Sequence, residues 1–383
     1  MHFVSIEWFS WILITVAFYW LVADKFRRHL LMFCTAVFLL LNSPVSFGLL
    51  AALTIGSYLG VNSSQGSMSG IKASFLVGAV LLLLVGYKYA VELVPIQGQV
   101  AIIIPLGLAY YSLRVIHYIL EAYKGSLPRH SLVDYLQYQF FLPTLVIGPI
   151  HRFNDFLISS KKNHWKMEYL TSGAERILYG YVKITFLGNY LISGVFQNYI
   201  DSLGSADEPG IIYLNMVRNG LNLYMQFSGF SDIAIGFAKM LGFKVMENFN
   251  WPYFQKNISD FWRCWHISLT SWCREYVFNT VMSSSRSPAL GAIATMLIIG
   301  VWHELSFKYV VWGAYHGLGI VVWQLFQKFK PQLPALPTII SPITYVLSVL
   351  LTLNFVWFGF NIVSYPTIFE GFAAMGKVLV FWM

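Results

Sequence analysis

His303 and Glu304 follow directly on Leu290–Trp302, a stretch without a charged residue. A charged side chain at the depth of a bilayer core costs roughly 2.5–3.5 kcal/mol on insertion scales, so an ionisable pair placed there implies a partner or a task. A second candidate lies upstream in Asn257–Tyr276, NISDFWRCWHISLTSWCREY. Read as one helix, it puts Asp260, Arg263, His266, Thr270 and Arg274 within a sector of about 120°. Phe261, Trp262, Trp265, Leu269, Trp272 and Tyr276 take the other side. Two readings fit this stripe: charges resting among lipid headgroups, or polar groups lining a cavity filled with water or substrate.

Two histidines in such surroundings suit acyl transfer. A neutral imidazole, with a pKa of roughly 6.5, takes a proton from an alcohol as it attacks an activated acyl group. Moving an acyl group from a thioester to a hydroxyl needs little beyond that base, a donor for the developing oxyanion and the exclusion of water. On this reading His303, preceded by Trp302, is the base and His266 the donor or orienting group. Glu304 either orients or polarises His303, selects a cationic acceptor, or holds a neighbouring helix through Lys308 one turn on.

Competing motifs fail on inspection. His303-Glu304 begins an H-E-x-x-H zinc pattern, but the second histidine position is Phe307, so no metal site is expected. There is no G-x-S-x-G elbow, Walker A loop or dinucleotide fingerprint. The other histidines divide by context. His2, His29, His130 and His164 sit at a terminus or in basic loops, and His117 reads as a packed or channel-facing group. His151, in Gly148-Pro149-Ile150-His151-Arg152, follows a helix break and is a candidate cavity residue. His316 stands between Gly313 and Gly317, a spacing that suits close helix packing, and is either a structural histidine or a substrate contact.

The elements that must hold these residues are helices in lipid. At 57% hydrophobic and 11% charged residues, the 383-residue chain has too little charge to clothe a soluble globule, and its mean hydropathy is +0.61. Its 13 Trp and 23 Tyr fit interfacial belts. Lys and Arg cluster in short loops, so the net charge of +8 reads as cytoplasmic retention, not nucleic-acid binding. Apolar segments fall near residues 4–23, 30–60, 74–94, 100–120, 132–150, 174–200, 211–242, 261–282, 289–303, 307–327, 338–363 and 366–383. They predict an all-α polytopic protein of about 10–11 crossings, plus re-entrant or interfacial helices. Broken helices are expected at Leu142-Pro143 and Gly148-Pro149, because irregular backbone cannot face lipid.

Basic loops at Lys25–His29, Lys161–Lys166 and Lys328–Lys330 are expected in the cytoplasm, and the acidic stretch Asp201–Gly210 outside, which puts the N-terminus outside. Cys34, Cys264 and Cys273 form no plausible disulfide. The first apolar stretch reads as a retained span, and residues 1–383 as a single membrane domain.

Four stretches carry a family resemblance. QFSGFSDIAIGFAKMLGF (226–243), ENFNWPYFQKNISDFWRCWHISLTSWCREYVF (247–278), GVWHELSFKYVVWGAYHG (300–317) and FFLPTLVIGPIHRF (140–153) resemble the membrane-bound O-acyltransferase family. The likeness covers a core of about 100–325 and lies with its bacterial branch, which O-acetylates alginate and peptidoglycan or exports D-alanyl groups to teichoic acid. FSGFSDIAIG reads more like the alginate side of that branch, whereas the length of the chain resembles the teichoic-acid side.

The resemblance implies helices arranged as a funnel or tunnel, with His303, after the Trp of G-x-W-H, as the essential residue and His266, in R-x-W-H-I-S-L, as the second. It also implies an acyl thioester donor, acyl-CoA or a phosphopantetheinyl carrier, with no bound cofactor. The acceptor would be a cell-envelope glycan reached through a periplasmic or extracellular partner, and the place the bacterial inner membrane. Glu304 departs from the Gly usual after the motif histidine.

The sequence therefore predicts a membrane O-acyltransferase moving a short acyl group, acetyl first, to envelope polysaccharide hydroxyls. Asp260, Arg263, Arg274, Trp302, Glu304, His316 and His151 would line or brace the site. D-alanyl transfer from a carrier protein is the variant within the class, and a non-catalytic transporter or channel the alternative outside it.

Overall fold

Ser5 opens the first helix by accepting the Trp8 N–H at 3.3 Å, and α1 (Ile6–Leu21) then runs without a charge after Glu7. In the computed structural model, which describes residues 4–62, 68–93, 107–330 and 341–382, the chain falls into two compact units. One comprises residues 1–181 with 230–246, the other residues 182–229 with 247–383. The expected segments at 100–120 and 338–363 begin outside the described residues, as does part of the Ser-rich Val61–Ser69.

In the first unit α2 (Asp24–Asn42) and α3 (Pro44–Asn62) replace the single run expected over 30–60. Ser43 is non-helical and Pro44 offers no N–H to the preceding turn, so the chain restarts there. α4 (Gly70–Leu93) and α5 (Leu108–Lys124) follow, then α6 (Leu132–Gln139), whose Ser131 and Asp134 cap each other's backbone N–H groups. After α6 only a 3-10 turn, Leu142–Thr144, interrupts irregular chain up to Arg152, as the prolines and glycines at 143–149 predict. α7 (Phe153–Lys161) and α8 (Met167–Tyr181) complete the run.

In the second unit the backbone of Val182–Phe196 takes wide π-type turns before α9 (Gln197–Ser202). α10 (Pro209–Met240) begins in this unit, and its residues from Phe230 onward belong to the first. There Asp232 pairs with Arg176 of α8 at 2.6 Å, and Gly173 and Gly236 let the two backbones touch: a Cβ at Gly236 would stand 2.6 Å from the Gly173 carbonyl.

α11 (Ile258–Cys264), α12 (Ile267–Cys273), α13 (Asn279–Ser285), α14 (Pro288–His303), α15 (Phe307–Phe329), α16 (Ser341–Ser364) and α17 (Ile368–Trp382) make up the rest of the second unit. Ser287 caps α14 through the Leu290 N–H and Pro288 occupies its first turn. α14 and α15 form a hairpin whose backbones meet at three glycines. A Cβ at Gly300 would lie 2.3 Å from the Tyr309 carbonyl, one at Gly313 2.6 Å from that of Met296, and one at Gly317 3.0 Å from Ile293 Cα.

Among the described residues the only extended pairing is the Phe249–Trp265 bridge, so the protein is all-α. Pro44–Asn62, Gly70–Tyr87 and Pro342–Ser364 are long and apolar enough to cross a bilayer, and α1 and α14 are shorter apolar helices. Ile71, Phe75 and Leu351 are at least 74% exposed, a surface that suits lipid.

Candidate active site

His303 is the last residue of α14, and the chain leaves the helix at once. Glu304 is extended, with its N–H on the Gly300 carbonyl at 3.2 Å, and α15 restarts after Ser306. Because the turn ends there, Lys308 does not lie one helical turn beyond Glu304. Its ammonium instead reaches the Tyr365 carbonyl at 3.5 Å, so the expected Glu304–Lys308 pairing is not formed. His303 is exposed on its unit and packs beside Trp302 (4.9 Å between ring centroids), Tyr309 (6.0 Å) and Trp312 (5.8 Å).

His266 is held quite differently. The single helix expected over 257–276 does not exist. α11 stops at Cys264, Trp265 is extended, and His266 sits in the left-handed region at φ 45° and ψ 52° before α12 begins. A non-glycine residue rarely adopts that backbone, which costs on the order of 1–3 kcal/mol and persists only where neighbours enforce it.

The neighbours here are polar and buried. Asn248 accepts the Ile267 N–H at its carbonyl (2.9 Å) and the Ser268 hydroxyl at Oδ1 (2.6 Å). Asn250 N–H donates to the Cys264 carbonyl at 3.0 Å. Residues 248–250 thus lie along the break and satisfy the backbone groups that the missing helical turn would have used. Phe227 presses its edge on the imidazole at 4.7 Å, and the ring is 2% exposed, with Nε2 unpartnered among the described residues.

Trp302 joins the two histidines. Its indole lies 5.9 Å from His266 and 4.9 Å from His303, centroid to centroid. The series continues through Trp312, 5.8 Å from His303 and 4.7 Å from His316. Three of the four candidate histidines therefore follow one another through two indoles in the second unit. His316 is fully buried among Trp262, Trp312, Tyr315, Phe355 and Phe360, and neither ring nitrogen has a partner among the described residues. The flanking Gly313 and Gly317 serve close helix packing, as their spacing predicts.

The polar stripe is dismantled by the break. Arg263 and Arg274 are exposed, and Asp260 is held by Asn257 Nδ2 at 2.7 Å and by Arg263 at 3.0 Å, in a pair lying on the surface. Only Thr270 stays buried with His266, its hydroxyl on the Trp265 carbonyl at 3.0 Å.

His151 belongs to the first unit. There the irregular stretch before it is pinned by Arg114, fully buried, whose guanidinium donates to the Thr144 carbonyl and to Thr144 Oγ1 (2.7 Å). That hydroxyl in turn meets His151 Nδ1 at 3.0 Å. His117 Nε2 accepts the Phe153 N–H at 3.0 Å, a packed and satisfied role. Leu142, Pro143, Val146 and Ile147 line a cavity of about 10 Å³ with Trp8, Phe230, Ile233 and Ala234, the size of one water.

Reading the sequence missed Asn248, Ser268, Phe227, Tyr309 and Trp312. All five stand inside the motif stretches, but nothing in their spacing ties them to a histidine.

Comparison with known proteins identifies the family. The family model for membrane-bound O-acyltransferases matches residues 75–364. A probable alginate O-acetylase of Pseudomonas aeruginosa is 29% identical over 366 residues, covering 90% of this chain and 68% of the relative. A teichoic acid D-alanyltransferase of Bacillus subtilis is 31% identical over 276 residues, 68% of either chain. A peptidoglycan O-acetyltransferase of Helicobacter pylori is 25% identical over 320 residues, covering 72% of this chain and 58% of the relative. With the family model spanning both His266 and His303, the chain belongs to the membrane-bound O-acyltransferase family.

Proposed function

We propose that this protein transfers an acetyl group from a thioester to hydroxyl groups of a cell-envelope polysaccharide, with His303 as the base. The observation that carries the reading is the pair of imidazoles on one indole, His303 open to an incoming molecule and His266 buried behind Trp302. His303 takes the proton of the acceptor hydroxyl as its oxygen bonds to the thioester carbonyl carbon. The tetrahedral oxyanion then collapses, the carbon–sulfur bond breaks, and the thiolate leaves to be protonated, giving an ester and a free thiol. His266, with an uncommitted Nε2, donates to the oxyanion or fixes Trp302. Glu304 orients His303, and His316 and His151 shape the surroundings. Asp260, Arg263 and Arg274, at the surface of the second unit, take no part in the chemical step.

In this reading the donor is acyl-CoA or an acyl group on a phosphopantetheinyl carrier, presented on the cytoplasmic side of the bacterial inner membrane. The acceptor is served through a partner on the far side, where the N-terminus also lies. Residues 1–383 act as one catalytic domain. The alginate and peptidoglycan acetylating relatives support acetyl as the group moved. The 31% identity to a D-alanyltransferase supports a second reading, D-alanyl transfer to teichoic acid.

Mass spectrometry of envelope polymers from cells with an intact copy and from cells carrying His303→Ala tests both. Base-labile acetyl esters on a glycan that vanish in the variant support the first reading. D-alanyl esters lost instead support the second, and unchanged polymers overturn both.

A further inference from the structure

Three segments far apart in sequence meet at one end of the first unit and carry many of its lysines there. Trp20 Nε1 donates to the Met240 carbonyl at 2.8 Å, and its ring meets Trp165 edge-on at 5.0 Å. Asn163 Nδ2 donates to the Leu241 carbonyl at 2.8 Å, and the Lys244 N–H to Ser159 Oγ at 2.9 Å. The turn between α1 and α2, the loop between α7 and α8 and the end of α10 are therefore one surface. It bears Lys25, Lys161, Lys162, Lys166, Lys239 and Lys244, of which only Lys239 is half-buried.

The acids nearby do not balance this charge. Asp24 is taken by Arg27 at 2.5 Å, and Asp134 by the Ser131 N–H and hydroxyl, with Arg28 at 3.7 Å. Asp155, Glu168 and, three residues beyond Lys244, Glu247 are the remaining carboxylates of these segments and their flanks, against six lysines.

The second observation is what lies among the lysines. Leu21 is 80% exposed, Met167 61%, Phe26 55% and Trp165 46%. A soluble acidic partner would match the charge and leave these side chains with nothing suited to them. A headgroup layer accommodates both: the ammonium groups sit among phosphates while lysine stems, indole and aliphatic groups reach the acyl boundary.

We propose that this end of the first unit is a docking surface for the phosphate headgroups of anionic phospholipids. The proposal is independent of the acyl-transfer reading. A single bound lipid reaches only one or two of these lysines, each multiplying its affinity about five-fold, and the effect falls away over a Debye length.

The test is native mass spectrometry of the full chain, purified in neutral detergent and given equal dioleoyl-phosphatidylglycerol and dioleoyl-phosphatidylcholine. Wild type is expected to retain the anionic lipid about ten-fold over the zwitterionic one. Lys161→Gln/Lys162→Gln/Lys239→Gln/Lys244→Gln should fall below about two-fold, while the four corresponding Lys→Arg changes keep the preference. Melting curves matching wild type show that the Gln variant is folded, and the Arg variant reports on charge even if it is not. Equal retention of both lipids by wild type, or a preference unchanged in the Gln variant, would overturn the proposal. So would loss of the preference on adding millimolar inorganic phosphate at fixed ionic strength, which would mark a free-phosphate site. Saturable binding of an acidic carrier protein at the same lysines in phosphatidylcholine discs would assign the surface to a protein instead.

Discussion

The break before His151 and the break at His266 solve the same problem with different side chains. Each interrupts a helix within a chain too apolar to leave backbone groups bare, and each holds a buried histidine whose Nε2 has no partner among the described residues. In the first unit a cation does the holding: Arg114 caps the carbonyl and hydroxyl of Thr144. In the second a neutral amide does it, with Asn248 Oδ1 receiving the Ser268 hydroxyl while the Asn248 backbone carbonyl receives the Ile267 N–H. Carbonyls left without donors call for a guanidinium, whereas stray N–H and O–H groups call for an acceptor. Only the second break stands against an indole that also carries an exposed imidazole, which is why chemistry is assigned there.

That contrast yields predictions of decreasing size. His266→Ala should lower thioester-dependent transfer by at least 100-fold with little change in thermal stability, whereas His151→Ala should cost less than about ten-fold, both read from initial rates on purified protein. Arg114→Leu, which leaves the Thr144 and Tyr138 carbonyls bare, should destabilise the protein by on the order of 3 kcal/mol in denaturant titrations, with Arg114→Lys falling between. Asn248→Ala should cost about 1–3 kcal/mol and should slow transfer as well, since it leaves the Ser268 N–H and hydroxyl, two residues past His266, without their acceptor. Arg263→Gln should change stability by less than about 1 kcal/mol and leave turnover as it is, because its pair with Asp260 lies in solvent at 60% and 41% side-chain exposure. A large loss of activity in that last variant would restore the polar stripe to the site.

How much of this was legible in the sequence follows the same division. Prolines and glycines announced the break at 143–149, and Gly313 and Gly317 announced close helix packing around His316, because those residues act through local geometry. The restart at Pro44 within a long apolar run was missed, although the proline stood there to be read. The break at Trp265–His266 has no such mark. It contains neither Gly nor Pro, and it is imposed by Asn248 and Asn250 from outside the segment, a tertiary effect that no periodicity within 257–276 contains. The Glu304–Lys308 pairing failed for a related reason: helical spacing was assumed across a point where the helix ends. The histidine pair was legible through motif resemblance, and its link through Trp302 emerged only with the fold.

The claim that the two imidazoles serve one reaction is tested most directly by a double-mutant cycle on the rate of acyl transfer from a labelled thioester, with His303→Ala, His266→Ala and the double variant compared with wild type. If the rings act as a unit, the double variant should be about as slow as His303→Ala alone, because removing one leaves the other nothing to assist. Losses that simply multiply would show two independent contributions and contradict the account.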